Sequence, residues 1–230
     1  MTKRNASFRE EVDFADVDGA MLWLGRGALS HANWHAHYHN WDNMTWPQLS
    51  VLQAAHAAEI LIKARIAEEH PLLIFESLPK PKSDSDILSM EHLIDAGRTV
   101  QWKDLPDRLW ATTGKKLPNR DLFEKFGRLR NSIQHFAAHH DDAGVEASRF
   151  IFGVIDPFIH ENWGLYAVDH NEDHEPYIYF VQSMITNKIE FLVSPDCAAA
   201  FKKNLPDFGE SGAYASLMRK RFEDAISTLP

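Results

Sequence analysis

PNRDLFEKFGRLRNSIQHFAAHHDD, Pro118 to Asp142, is the stretch on which the reading of the fold turns. Asn119 is a capping residue type, Asp121 and Glu124 put carboxylates in the first turn where the helix dipole favours them, and only Gly127 interrupts before Gly144. Leu122, Phe126, Leu129, Ile133 and Phe136 step by four, three, four and three, which predicts the buried stripe of a helix in a bundle. Beside the stripe lies a polar flank. Asn131 and His135 are one turn apart there, as are Arg130 and Gln134. A guanidinium binds phosphate through a planar fork and an imidazole exchanges a proton near neutral pH, so the pair suits phosphodiester chemistry.

Toward the amino terminus, Thr45-Trp46-Pro47-Gln48 reads as a capping box that opens a helix to about Glu69. Its apolar positions, Leu52, Ala55, Ala58, Ile62 and Ile66 among them, are numerous enough to predict the central, nearly all-round buried member of the bundle. Glu59 and Lys63 lie one turn apart within it; either they form an ion pair, or Glu59 turns inward to orient Arg130 or His135. Before that helix, an apolar side from Ala20 leads into His31, Trp34, His35, His37, His39, Trp41 and Trp46. The histidines are candidate metal ligands, but no carboxylate or cysteine completes the set, and the interleaved aromatics fit packing and surface contact better. No metal and no cofactor are expected.

Further short helices are predicted over Ile87 to Gly97 and Lys103 to Thr112, and a longer one over Val145 to Trp163, bent at Pro157 and stopped at Gly164. Asp169 to Glu175 imitates the start of a calcium loop, yet His174 and Phe180 stand where glycine and the bidentate glutamate belong. Tyr177 to Val193 reads equally as helix or as a short β segment, and Gly212 to Ser227 as a terminal helix. These elements divide the chain into an amino-terminal helical extension (1–44), a helical bundle (45–164) and a carboxy-terminal extension packed on the same domain (165–230). The fold class is all-α.

Composition narrows the function classes. With 230 residues and 44% hydrophobic content the chain suffices for one well-buried domain, and no run approaches the ~20 apolar residues of a membrane span. The charged opening MTKRNASFREEVDFAD is unlike a signal peptide, and the lone Cys197 fits a reducing compartment, so a cytoplasmic location is expected. The net charge of −9 argues against broad nucleic-acid binding. Its distribution differs: nine bases and four acids lie between Arg98 and Arg130, a net +5, against one base and nine acids from Asn131 to Phe180, a net −8. Such a split either focuses a polyanion toward the amino-terminal side of the motif helix or is a chance segregation of solvated helix faces.

The five-residue spacing from arginine to histidine recurs at Arg26 to His31 and Arg65 to His70, but Arg26 is followed by Gly27 and Arg65 by Ile66. Arg130-Asn131-Ser132-Ile133-Gln134-His135 has a polar residue after the arginine and sits on a late amphipathic helix. In this it resembles the HEPN superfamily, whose mark is an arginine, usually followed by a polar residue, with a histidine four to six residues on. The stretch Ala54-Ala55-His56-Ala57-Ala58-Glu59-Ile60-Leu61-Ile62-Lys63-Ala64 is similar to the opening helix of many HEPN domains, and the likeness spans roughly Trp46 to Gly164.

The resemblance implies an up-down helical bundle and a homodimer through the motif helix, with a composite site that cuts RNA without metal to 2′,3′-cyclic phosphate and 5′-hydroxyl ends. Carried onto this chain, His135 is the general acid or base, Arg130 stabilises the phosphorane, and Asn131 orients the phosphate or the imidazole. Lys125, Arg128 and Gln134 would bind substrate, with Glu59 in support. The role implied is that of a toxin or phage-defence effector. The alternative is a non-catalytic HEPN domain that binds another protein, such as an antitoxin or effector.

Overall fold

The computed structural model describes residues 16–38, 41–81, 88–172, 177–209 and 212–229; His39, Ile87 and Asp173 to Glu175, on which expectations fell, lie outside them. Among the described residues the fold is all-α with one small sheet. Its centre is helix α2 (Trp46–Glu69), which buries residues on every side, including Val51, Ala54, Ala55, Ala58, Leu61, Ile62 and Ile66. Alanine is the commonest residue among those buried, because neighbouring helices come close. Helix α1 (Val17–His37) runs antiparallel along α2, with His35 beside Gln53 at one end and Gly25 against Leu61 at the other. A methyl group at Gly25 would lie 2.8 Å from the Leu61 side chain, so this glycine serves the close approach; Gly27 faces open space.

Helices α3 (Met90–Ala96) and α4 (Leu105–Thr113) follow, the latter with Pro106 in its first turn, where its missing N–H costs nothing. Strands β1 (Phe75–Ser77) and β2 (Arg98–Thr99) pair antiparallel. Helix α5 (Arg120–Phe136) is the motif helix, followed by α6 (Ala143–Phe150), a π-helical turn at Ile151–Ile155 and α7 (Asp156–Trp163), which Gly164 ends in the left-handed region. Of the two readings of Tyr177 to Val193, helix is adopted over Ile178–Thr186 (α8). Helices α9 (Pro195–Ala200) and α10 (Ala213–Ser227) complete the chain. Two expected caps are corrected. Thr45 makes no side-chain capping bond because its own backbone is helical (φ −86°, ψ −11°), and Gln48, the other half of the box, gives its amide to His139 Nδ1 (2.7 Å) and the His140 carbonyl (3.3 Å). Asn119 is itself left-handed (φ 47°) and caps nothing with its side chain.

The region after Leu165 shares the core of the bundle: Phe180 and Phe191 pack on Phe152, and Phe222 on Phe191. Polar groups fasten it. Asp156, fully buried, accepts from the backbone N–H of Ala167 (2.8 Å) and of Leu192 (2.9 Å), and Asn33 of α1 donates to the carbonyls of Ala167 and His170. His37 joins three helices, with Nδ1 2.8 Å from Ser183 Oγ and Nε2 2.9 Å from Ser148 Oγ.

Two predictions follow the packing. Gly144 packs against the backbone of α1, where a methyl would lie 2.8 Å from the Ala36 carbonyl oxygen. Gly144→Ala is therefore expected to cost about 1–3 kcal/mol, whereas Gly27→Ala, in open space on a helix, should gain up to about 1 kcal/mol; urea midpoints check both. Burial pushes the Asp156 carboxyl up to about 7, against a usual value of ~3.9, while burial and Arg26 lower the His170 imidazole to about 4 from ~6.5. Between about pH 4 and 7 the native state holds Asp156's proton and the unfolded state does not, so that contribution to stability is lost as pH rises. His170 acts in reverse, its contribution being lost as pH falls from about 6.5 to 4. Asp156→Asn is thus expected to make the slope of stability against pH more positive than in the parent over this window, and His170→Phe more negative, as read by urea unfolding at pH 5 and 7.

Candidate active site

Helix α5 takes its orientation from aromatic packing. Phe123, Phe126, Gly127 and Ile133 are buried; Phe126 lies parallel on Phe150 with ring centroids 3.8 Å apart, and Phe123 stacks on Trp102 at 4.1 Å. Gly127 provides the slot for that indole, since a Cβ there would strike Trp102 Nε1. The stripe read from spacing is therefore half right. Phe126 and Ile133 are inside and Leu122 and Leu129 half-buried, but Phe136 is 82% exposed, because the helix ends at that residue and Ala137 turns left-handed (φ 49°) beyond the core.

The motif residues occupy two sides of α5. Arg130 is half-buried, its guanidinium carbon 5.9 Å from the centre of the Trp102 ring and its Nη1 donating to Asn131 Oδ1 at 3.0 Å. The cation–π contact and the hydrogen bond hold the fork in one place. Asn131, Gln134 and His135 are exposed, and the His135 ring meets the Phe136 ring edge-on at 6.5 Å. Five residues apart, Arg130 and His135 differ by about 140° around the helix, so a single helix does not bring them to one point.

The remaining candidates divide. Glu59 accepts from Lys63 Nζ at 2.7 Å, and Lys63, only 7% exposed at its side chain, also donates to Thr99 Oγ1 at 3.1 Å. Among the described residues this bond to Lys63 is where Glu59 is engaged, and it is not joined to Arg130 or His135. The pair fastens α2 to β2 instead. Lys125 pairs with Glu146 of α6 at 3.5 Å, and Arg120 with Asp107 and Glu124. Among the described residues Arg130 bonds to Asn131 in place of a carboxylate, and Arg128 alone of the four α5 cations has neither an ion pair nor a side-chain hydrogen bond.

Between α5 and α6 runs a groove of about 520 Å³, floored by Leu122, Phe126 and Leu129 and rimmed by Arg128, Ser132 and His140, with the Lys125–Glu146 pair at its edge. Reading by residue type passed over Ser132, His140 and Trp102. The available signal was Gly127, which in a helix with no turn to make marks a close neighbour. No group of three or more histidine, cysteine or acidic side chains is arranged to hold a metal among the described residues, and the described histidines of the histidine-rich segment have other polar partners: His31 faces Glu172 (3.2 Å), His35 Gln53 (2.6 Å) and His37 two serines. No described helix is long and apolar enough to cross a membrane. No family model, no curated protein and no solved structure matches the chain.

Proposed function

We propose that the chain is a metal-independent endoribonuclease of the HEPN kind, active as a cytoplasmic homodimer in which two copies of α5 face each other, and that it serves as a toxin or phage-defence effector. The observation that carries this reading is the state of α5: an imidazole in solvent, a guanidinium braced on another side of the helix by Trp102 and Asn131, and a bare phenylalanine at the helix end. A second copy of α5 would cover Phe136 while supplying the cation that one copy holds about 140° away. In the reaction a base takes the proton of the ribose 2′-hydroxyl, O2′ bonds to phosphorus, and the bond from phosphorus to O5′ breaks as an acid protonates the leaving oxygen. His135 fills the base or the acid role, and Arg130 meets the extra charge on the pentavalent phosphate.

A binding module without catalysis is the second reading. It is favoured by Trp41 and Met44, 83% and 71% exposed near the start of α2, which offer an apolar surface to another protein. RNA cleavage decides between the two. The enzyme is expected to cut RNA in EDTA to cyclic-phosphate ends, with His135→Ala and Arg130→Ala each lowering the rate about 100-fold or more. His135→Ala is expected to stay within about 0.5 kcal/mol of the parent in stability, since the ring is exposed. Phe136→Asp is expected to yield a folded monomer without activity, as sedimentation would read. Cleavage that survives both active-site substitutions would move the site elsewhere, and no cleavage together with a co-purifying protein would favour the binding module.

A further inference from the structure

The groove between α5 and α6 joins a floor and a rim of different chemistry. Phe126 in the floor lies flat on Phe150, so the surface is backed by the core and does not collapse. On the rim stands Arg128, the unpartnered cation, and one turn further along α5 is Ser132. The Ser132 hydroxyl donates to the Leu129 carbonyl at 2.7 Å, and its oxygen is 3.0 Å from His140 Nε2. A hydroxyl has one proton to give, so His140 Nε2–H is the donor of that second bond, and in the neutral ring Nδ1 is an acceptor. Among the described residues nothing bonds to that Nδ1. The Glu146 carboxylate at the same rim is taken up by Arg149 Nη1 (2.6 Å) and Lys125 Nζ (3.5 Å), so the imidazole nitrogen is the acceptor left open there.

An apolar floor, an open acceptor on a lining side chain and an unpaired guanidinium describe a ligand: a flat ring with an N–H₂ on its edge, attached to a phosphate. The volume lies within the range of small-ligand sites. Position agrees as well, because Arg128 and His135 are seven residues apart, within about 20° of one another around α5 and about 10 Å along it. The Arg128 edge of the groove therefore lies on the same side of α5 as the imidazole.

We infer that the α5–α6 groove receives one base of the RNA, selecting bases that carry an amino group, with Arg128 on the adjoining phosphate. The inference rests on the ribonuclease reading for the identity of the polymer. The test therefore uses binding alone: the full-length His135→Ala protein is titrated with the 5′-monophosphates of adenosine, inosine, cytidine and uridine, followed by calorimetry. Adenosine over inosine and cytidine over uridine are each expected by about fivefold, the effect of one hydrogen bond. His140→Phe in the same background, which keeps a ring but removes the acceptor, is expected to bring both pairs to within about twofold, with circular dichroism unchanged. Arg128→Ala should weaken all four alike. Equal binding within each pair, a preference that survives His140→Phe, or no binding of any nucleotide at millimolar concentration would overturn the inference. Cleavage is scored apart from this. A chain that prefers amino nucleotides yet cuts no RNA keeps the subsite and loses the ribonuclease; one that cuts RNA and binds the four alike loses the subsite alone.

Discussion

The burial of α2 on all sides is the constraint from which the rest of the architecture follows. A helix can be enclosed this fully only if its neighbours come near, and near approach demands small side chains: alanines at 54, 55, 57, 58, 64 and 67 of α2, Gly25 of α1 against Leu61, and Gly144 of α6 on the backbone of Ala36 in α1. With α1 and α6 drawn in, α5 meets the bundle through one aromatic edge, and Phe126 stacks on Phe150 while Phe123 stacks on Trp102. The opposite surface of α5 has no intramolecular role to fill. That is why it can carry Arg128, Asn131, Gln134 and His135 without cost to the core.

The same tightness accounts for the buried polar groups. Residues after Leu165 have to close over α1 and α7, and their backbone N–H and carbonyl groups lose water in doing so. Asp156 accepts two of those N–H groups, and Asn33 donates to two of the carbonyls. Burial pushes the Cys197 thiol up and holds it as a packing group rather than a nucleophile. The carboxy-terminal region thus belongs to the scaffold, while the candidate chemistry sits on the other side of α5.

Much of this was legible in the residues, and what was not has a physical reason. The span of α2 could be read from its density of small and apolar residues, and the existence of α5 from its stripe. The caps could not, because Thr45 stays helical and Asn119 turns left-handed, while Gln48 is recruited by His139 and His140, 91 and 92 residues away in the chain, and a local pattern knows nothing of such partners. The exposure of Phe136 depends on where the helix stops, a matter of one residue. His37 belongs by type to a wet, histidine-rich segment, yet Ser148 and Ser183 satisfy both its nitrogens in the interior. The polar flank itself was legible, since helical spacing alone puts Asn131 beside His135; the slot for Trp102 under Arg130 was hinted at only by Gly127.

The π-helical turn at Ile151–Ile155 has a quieter effect. Such a turn accommodates one residue more than an α-helix would, and each residue accounts for about 100° of rotation, so everything beyond it is rephased against α6. In the shifted phase Asp156 points into the interior to collect two backbone protons while its neighbour Pro157 sits half-buried at the start of α7. A helix of regular winding through the same letters would swing that carboxylate by more than a quarter turn, leaving the peptide groups of Ala167 and Leu192 to find other company. The lid formed by the last third of the chain is thus fitted to the bundle by a local change of pitch.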